Sequence, residues 1–465
     1  MALDNTELSV VLREVIDPEI TDLIERTPTL YNLIPKGGEI NGRGVFLYGK
    51  TNQNPSLGWF SEGGAYPNGS NSQRIKMNAT FSRVAITSRL TRDAMEGADK
   101  QAIVNVVTEE IVDDTKSILK EISQQLYGDG SGVKGVVASV NNSTKAVTFR
   151  GGIADLTPDI SNYANAYGTS QLIPRGEYNF ISGTAVADRQ DGVGTGDAVT
   201  DVGEVLNIAA TSDVATLSSV DSGTVATFDA VPDDLDRLID GDLIVSKGSY
   251  GKCIKGLDYH IDSGTGTYQN VSRNTYPSLR CYVLNAANTG LTVAMLYKVI
   301  FQARYARRNN LMEGDYVILS APTQTHAYAL LGDVSSSSYN GSGADTGLVA
   351  MPNGGSLDFG FRSFKFAGIT WVEDVDCPAH KLFIINFSKF KIHEFKSLSK
   401  VFDGNGFLPV PAFSSTGTGS YTDNVLYTMT WKGQLCAKDP NQAGVKIDNL
   451  STTGLAVPTS GYSLS

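Results

Sequence analysis

The sequence predicts an α+β protein of several packed units, and three observations lead to that class. A long amphipathic helix runs toward Tyr127, short β runs bounded by Gly and Asp turns fill the middle of the chain, and a glycine-rich segment carrying aromatics lies near the start. At 465 residues the chain exceeds what one core commonly holds, so two or three units are expected.

Residues 1–36 read as a helical arm. Leu8, Val11, Leu12 and Val15 share one face, and Asp17-Pro18 restarts the helix as N-cap and first-turn proline. Ile20, Leu23 and Ile24 continue the apolar side, and Thr27-Pro28 ends the arm because the residue before a proline is pushed out of the helical region.

Residues 37–80 are rich in Gly, Asn and Ser yet carry Val45, Phe46, Leu47, Tyr48, Trp59, Phe60 and Tyr66. A loop of that length is uncommon in a compact domain. The strand-like runs Val45–Tyr48 and Arg74–Ala79 make it a long protruding hairpin. Exposed aromatics on such an arm imply a partner surface, so Trp59, Phe60 and Tyr66, with Glu62 among them, are the candidate contact residues.

In residues 81–140 the loose alternation of Phe81–Leu90 predicts a strand, and Asp99 is the expected N-cap of the clearest helix. Val104, Val107, Ile111, Ile118, Ile122 and Leu126 draw one apolar stripe along it. The Asp113-Asp114-Thr115 interruption favours packing on the protein's own sheet over a coiled-coil partner. Glycines in Tyr127–Gly132 supply the left-handed backbone that ends the helix.

Residues 141–250 show short β runs such as Ala146–Phe149, Thr224–Phe228 and Asp242–Val245, with no repeat period and a flexible surface loop over Asp188–Gly203. More strands are expected in 251–290. Residues 291–395 read as an α/β unit: a helix over Leu291–Arg307 with Leu291, Met295, Val299 or Ile300, and Ala303 inward, a buried strand Tyr316–Leu319, and a helix from Ala321-Pro322-Thr323 toward Leu331. A loop over Ser335–Gly347 and strands Ser363–Phe366, Ile369–Val372 and Lys381–Ile385 complete it, and Tyr427–Lys432 is a closing strand within 396–465.

Composition narrows the chemistry. No apolar run approaches the roughly 20 residues that span a bilayer, and the opening MALDNTELSVV has no secretory pattern, so folding in a cytoplasm is expected. Net charge is −11, whereas a sequence-independent DNA binder needs a Lys/Arg surface that displaces counterions. Cys253, Cys281, Cys377 and Cys436 are scattered and form no CxxC pair, so buried reduced thiols are the simpler reading. Cys377 and His380 alone cannot make a zinc site. Gly128–Gly132 follows a helix where a phosphate loop would precede one, and Gly264–Thr267 has no Rossmann unit around it. Without a GxSxG elbow or a distinct carboxylate pair, no catalytic residue, cofactor or metal is assigned and no enzyme is expected.

Taken in order, these elements resemble the tailed-phage major capsid fold of the Hong Kong ninety-seven type. WFSEGGAYP (Trp59–Pro67), FSRVAITSRLTRDAM (Phe81–Met95), LYGDGSG (Leu126–Gly132), GTGTYQNVSRNTYP (Gly264–Pro277) and FKFAGITWVEDVDCPAHKLFIIN (Phe364–Asn386) are similar to recurrent stretches of such proteins. The resemblance implies that 1–36 is the N-terminal arm, 37–80 the extended loop, 81–140 and 251–290 a peripheral domain with its long spine helix, and 291–395 the axial domain. It leaves 141–250 as a β-rich insertion or an elaborated peripheral sheet, and 396–465 as closing peripheral strands and a tail.

The function implied is a shell subunit, assembled in a host cytoplasm and resident in the virion. It would form pentamers and hexamers with copies of itself and enclose double-stranded DNA without binding it strongly. Scaffold, portal and cement proteins are the further partners, with no membrane. Arg304, Arg307 and Arg308 are local basic spots that could touch DNA or a neighbour. Because the chain enters its arm almost at Met1, a separate scaffold or trimming is expected. Some members crosslink a loop lysine to a neighbour's asparagine; Lys50 and Lys76 lie in the loop, but their partner residues are not matched. Two other classes stay open: an encapsulin-like compartment of the same fold, and a β-rich surface adhesin supported by the Gly/Ser/Thr character of Asn141–Tyr250.

Overall fold

The computed structural model describes residues 29–37, 44–51, 54–62, 64–91, 106–150, 172–173, 175–183, 204–206, 208, 213–221, 225–232, 238–307, 316–338, 365–400, 410–413 and 421–451. The helices expected over Leu8–Pro28, the Asp99 cap, the Asp188–Gly203 loop and Arg308 lie outside them. The chain divides into two compact units, Met1–Pro28 with Val84–Lys120 and Leu398–Trp431, and Thr29–Arg83 with Glu121–Ser397 and Lys432–Ser465.

The first unit takes the strand Ser82–Thr91 from Val84 onward and the helix Val106–Gln125 as far as Lys120. Asp114 is buried and accepts a 2.6 Å hydrogen bond from Ser88 Oγ of that strand. The polar interruption of the apolar stripe therefore packs on the protein's own β-structure. Val410–Phe413 pairs antiparallel with Tyr421–Leu426, the start of a strand that runs on to Ala437 and far exceeds the Tyr427–Lys432 expected.

In the second unit the end of the long helix is an anchor. Ile118 in the first unit and Ile122 and Leu126 here are all buried, as the stripe predicts. Past the helix Gly130 and Gly132 take positive φ (94° and 82°), which gives the turn its left-handed backbone. Tyr127 packs on Phe383 with ring centroids 5.9 Å apart and donates a 2.7 Å hydrogen bond to Asp374.

Phe383 belongs to the strand Leu382–Asn386, every residue of which is buried. A continuous apolar run suits a strand covered on both faces. It lies in a six-stranded sheet ordered Val283–Thr289, Gly444–Leu450, Leu382–Asn386, Tyr316–Ser320, Ile369–Glu373 and Lys365–Phe366. The pairs of Val283–Thr289 with Gly444–Leu450 and of Tyr316–Ser320 with Ile369–Glu373 are parallel, and the other three are antiparallel. The sheet thus takes in strands on both sides of 291–395. Leu296, Val299 and Ile300 of the helix Val293–Arg307 join Ile318, Ile384, Val445 and Ile447 in one core, with Tyr328 stacked on Trp371 at 4.6 Å. The helix that starts at Pro322 continues to Ser338, so Ser335–Ser338, expected in a loop, are helical. Serine's helix penalty is a few tenths of a kcal/mol, which an established helix overrides.

The β runs between Val133 and Ser246 form a closed antiparallel barrel. Its strands run in the order Leu243–Ser246, Val133–Asn141, Ala146–Arg150, Val225–Phe228, Ala215–Val220 and Glu177–Ile181. Closure removes every sheet edge. Phe228 fills the interior against Phe180, Phe149 and Tyr178, with centroids 5.3 to 6.3 Å away. Lys134 on the first barrel strand is buried and donates to Glu121 at 2.6 Å and to Gln124 at 2.9 Å, tying the barrel to the helix end. Burial alone would raise the Glu121 carboxyl, but the Lys134 ammonium holds it below the usual range.

His260 ends the short helix Leu257–His260 and is fully buried. Its Nε2–H donates to the Leu435 carbonyl at 3.0 Å, so Nδ1 accepts from the Tyr268 hydroxyl at 2.8 Å. This is the neutral tautomer, and burial lowers its pKa to about 3. An unfolded chain binds a proton there near pH 6.5 and the folded chain does not, so stability present above that pH is lost as pH falls. Between pH 6.5 and pH 5 the loss from this group is about 2 kcal/mol. Thermal unfolding followed across that interval shows the slope, and His260→Gln flattens it.

Candidate functional site

The strands Gly44–Lys50 and Arg74–Thr80 form the expected hairpin, in register from Gly44 opposite Thr80 to Lys50 opposite Arg74. Side chains alternate across such a ribbon. One face, with Val45, Ile75, Met77 and Ala79, is buried, and the other is open.

The buried face fixes the root. Ile75 and Met77 pack with Tyr268 and Leu279, and Val45 and Ala79 pack with Cys436. Asn78 donates its amide to the Gln269 carbonyl at 3.0 Å, and Gln434 Nε2 donates to the Thr80 carbonyl at 3.0 Å. The module that receives the root is itself pinned, because Arg273 bonds Asp262 and the Tyr259 carbonyl, both at 2.6 Å.

Beyond the strands the ladder continues with Thr51 N–H to the Gln73 carbonyl at 3.0 Å. The tip has local order of its own. Phe60 lies against Tyr66 with centroids 4.9 Å apart, and the Gly64 amide closes a turn onto the Ser61 carbonyl at 2.9 Å. None of this hides the aromatics: Trp59 is 105% exposed, Tyr66 79%, and Phe60 and Glu62 are exposed as well. The structure brings the four expected contact residues together on one wet tip. Phe46 and Tyr48, outside those four, also stand exposed on the open face of the shaft. Their alternation with buried Val45 is the sequence signal for that face.

The other sequence motifs do structural work. Gly132 sits so close to Cys253 that a Cβ would lie 2.9 Å from its Sγ, so packing as well as its positive φ requires glycine there. In the Gly264–Thr267 stretch the Gly264 amide caps onto Asp262 at 3.0 Å. Cys281, Cys377 and Cys436 are buried, Cys253 is half-buried, and none forms a disulfide. Burial pushes the Cys253 and Cys436 thiols up to about 12, far from a reactive thiolate. Among the described residues no group of three His, Cys, Asp or Glu side chains could hold a metal ion, and no helix is long and apolar enough to cross a membrane.

No protein-family model and no curated protein matches the chain. Solved structures do. The cyanophage A-1(L) capsid asymmetric unit is similar over 97% of this chain and 100% of its own, with 16% identity and a TM-score of 0.54. The capsid of a native GTA particle, at 8% identity, covers 97% and 100% with a TM-score of 0.49. The SrpI encapsulin of Synechococcus elongatus PCC 7942, also at 8% identity, covers 99% and 100% with a TM-score of 0.45. The first likeness carries the assignment: the chain, with its sheets and long hairpin, has the fold of a phage capsid subunit.

Proposed function

We propose that the chain is the major capsid protein of a tailed phage, a structural subunit and not an enzyme. It assembles into pentamers and hexamers and closes an icosahedral shell around double-stranded DNA. The observation that supports this best is the likeness in fold, over nearly the whole of both chains, to the subunit of a cyanophage capsid. In this reading 37–80 is the extended loop that reaches a neighbouring subunit through Trp59, Phe60, Glu62 and Tyr66. The long helix, with 81–140 and 251–282, makes the peripheral domain, and 291–395, whose sheet also takes in Val283–Thr289 and Gly444–Leu450, makes most of the axial domain. The barrel is an insertion within the peripheral domain. Scaffold, portal and cement proteins are its further partners, and the virion is its location.

The DNA is held by enclosure, since a chain of net charge −11 has no sequence-wide basic excess. Light scattering of purified protein under assembly conditions tests the reading: species of five and six subunits, then shell-sized particles, are expected. Monomer under every condition contradicts it. Free subunits bind DNA no tighter than micromolar with a shallow salt slope, and nanomolar binding with a steep slope overturns enclosure.

A further inference from the structure

We propose that the shaft of the hairpin, as distinct from its tip, is a strip of cations and aromatics that docks on a carboxylate-rich surface of a second copy of this chain. The proposal rests on the reading of the chain as a self-assembling shell subunit.

The strip follows from register. Lys50 stands opposite Arg74, Tyr48 opposite Lys76, and Phe46 opposite Asn78. Directly opposed residues share a face, and so do alternate residues along a strand, so all six lie on the open side. Phe46, Tyr48, Lys50, Arg74 and Lys76 are exposed there. Lys76 Nζ lies 3.7 Å from the Phe46 ring centroid, which holds that ammonium over the strip. Among the described residues neither Lys50, Arg74 nor Lys76 forms an ion pair.

Two features make this arrangement incomplete in the lone subunit. Like charges directly opposite one another in an antiparallel pair are destabilising, and Lys50 faces Arg74 with Lys76 two residues back on the same side. An anionic partner relieves that repulsion. The chain's charge is also divided unevenly: Gly44–Thr80 holds three Lys/Arg and one Glu, while the rest holds 48 Asp/Glu against 35 Lys/Arg, an excess of thirteen carboxylates. A second copy therefore supplies the complementary sign. Phe46 and Tyr48 add apolar area that an acidic protein surface can cover and a phosphate backbone cannot. Three cations, with Glu62 at the tip, would give nucleic acid only a weak hold.

The test compares full-length wild type with the triple variant Lys50→Gln, Arg74→Gln, Lys76→Gln, following assembly by light scattering from 50 to 500 mM salt. Screening acts on these exposed charges, so wild-type assembly is expected to slow about tenfold over that range and the triple variant only about twofold. The substitutions are on exposed side chains, so circular dichroism stays unchanged. Should the triple variant fail to fold, Lys50→Gln alone removes the opposed pair and gives an intermediate salt response. A wild-type salt response in the variants overturns the proposal, and so does unchanged assembly accompanied by weaker binding to a duplex DNA probe, which would place the strip against DNA. The Trp59→Ala, Phe60→Ala variant separates the two levels. If it blocks assembly while the glutamine variants keep the wild-type salt response, only the strip proposal falls; if neither affects assembly, the reading of the arm as intersubunit falls as well.

Discussion

Replacing Trp59 and Phe60 together by alanine is expected to leave a subunit that folds and stays in solution but forms no closed particles. Trp59 is 105% exposed, so its own chain gives it no cover, and Phe60 touches chiefly Tyr66 within the same tip. The root of the hairpin is held independently by Ile75, Met77, Val45 and Ala79. Folding stability should therefore change by no more than about 0.5 kcal/mol, the range of surface substitutions. Assembly is different. Burying one such ring against a neighbour contributes about 2–3 kcal/mol by area, before ordering costs are subtracted. Each subunit contributes one arm, so the loss recurs at every contact, and a closed particle multiplies it. Circular dichroism and sedimentation on the same sample give the two readouts. If the variant unfolds, the two rings belong to an internal core and the arm is wrongly assigned.

Asp258→Asn is expected to cost about 3–5 kcal/mol of folding stability, because it strands buried ammonium groups. Asp258 accepts from Lys446 at 2.5 Å and lies 3.2 Å from Lys381, and both lysines are buried. The contact ties the short helix Leu257–His260 to the strand Gly444–Leu450 and to the residue that leads into Leu382–Asn386. Burial by itself would raise the Asp258 carboxyl, and the two lysines hold it below its ordinary value. A depressed carboxyl contributes stability that is present above its unfolded pKa, about 4, and lost as pH falls through the lower folded value. Asp258→Asn removes that acid response. The control is Asp448→Asn, since Asp448 lies farther from Lys446, at 3.8 Å, and is partly exposed; its cost is about 1 kcal/mol or less. Denaturant unfolding of both variants gives the comparison, and equal costs would refute the triad.

Much of this was legible in residue order. The apolar stripe through Ile118, Ile122 and Leu126 marked the long helix because a 3.6-residue period needs no knowledge of distant contacts. The hairpin strands were readable to within two residues at each end, for alternation is also local. The barrel was not: Val133–Asn141 closes on Leu243–Ser246, more than a hundred residues away, and short β runs do not name their partners. Gly444–Leu450 was likewise missed as a central strand, since Lys446 and Asp448 interrupt its apolar pattern and only the buried Asp258 contact explains the lysine. Sequence reasoning reads lysine as surface, and Lys134, Lys381 and Lys446 are all buried against carboxylates. At the tip, composition alone pointed to Trp59, Phe60, Glu62 and Tyr66. The cationic strip beside it needed the register, because Lys50 and Arg74 are twenty-four residues apart in sequence and meet only across the ribbon.

Electron microscopy of the full-length protein after assembly tests the central claim most directly. The account predicts closed, isometric particles in which density for residues 54–73 crosses onto an adjacent subunit. Particles whose hairpin folds back on its own subunit, or a preparation with no closed particles at all, would contradict it.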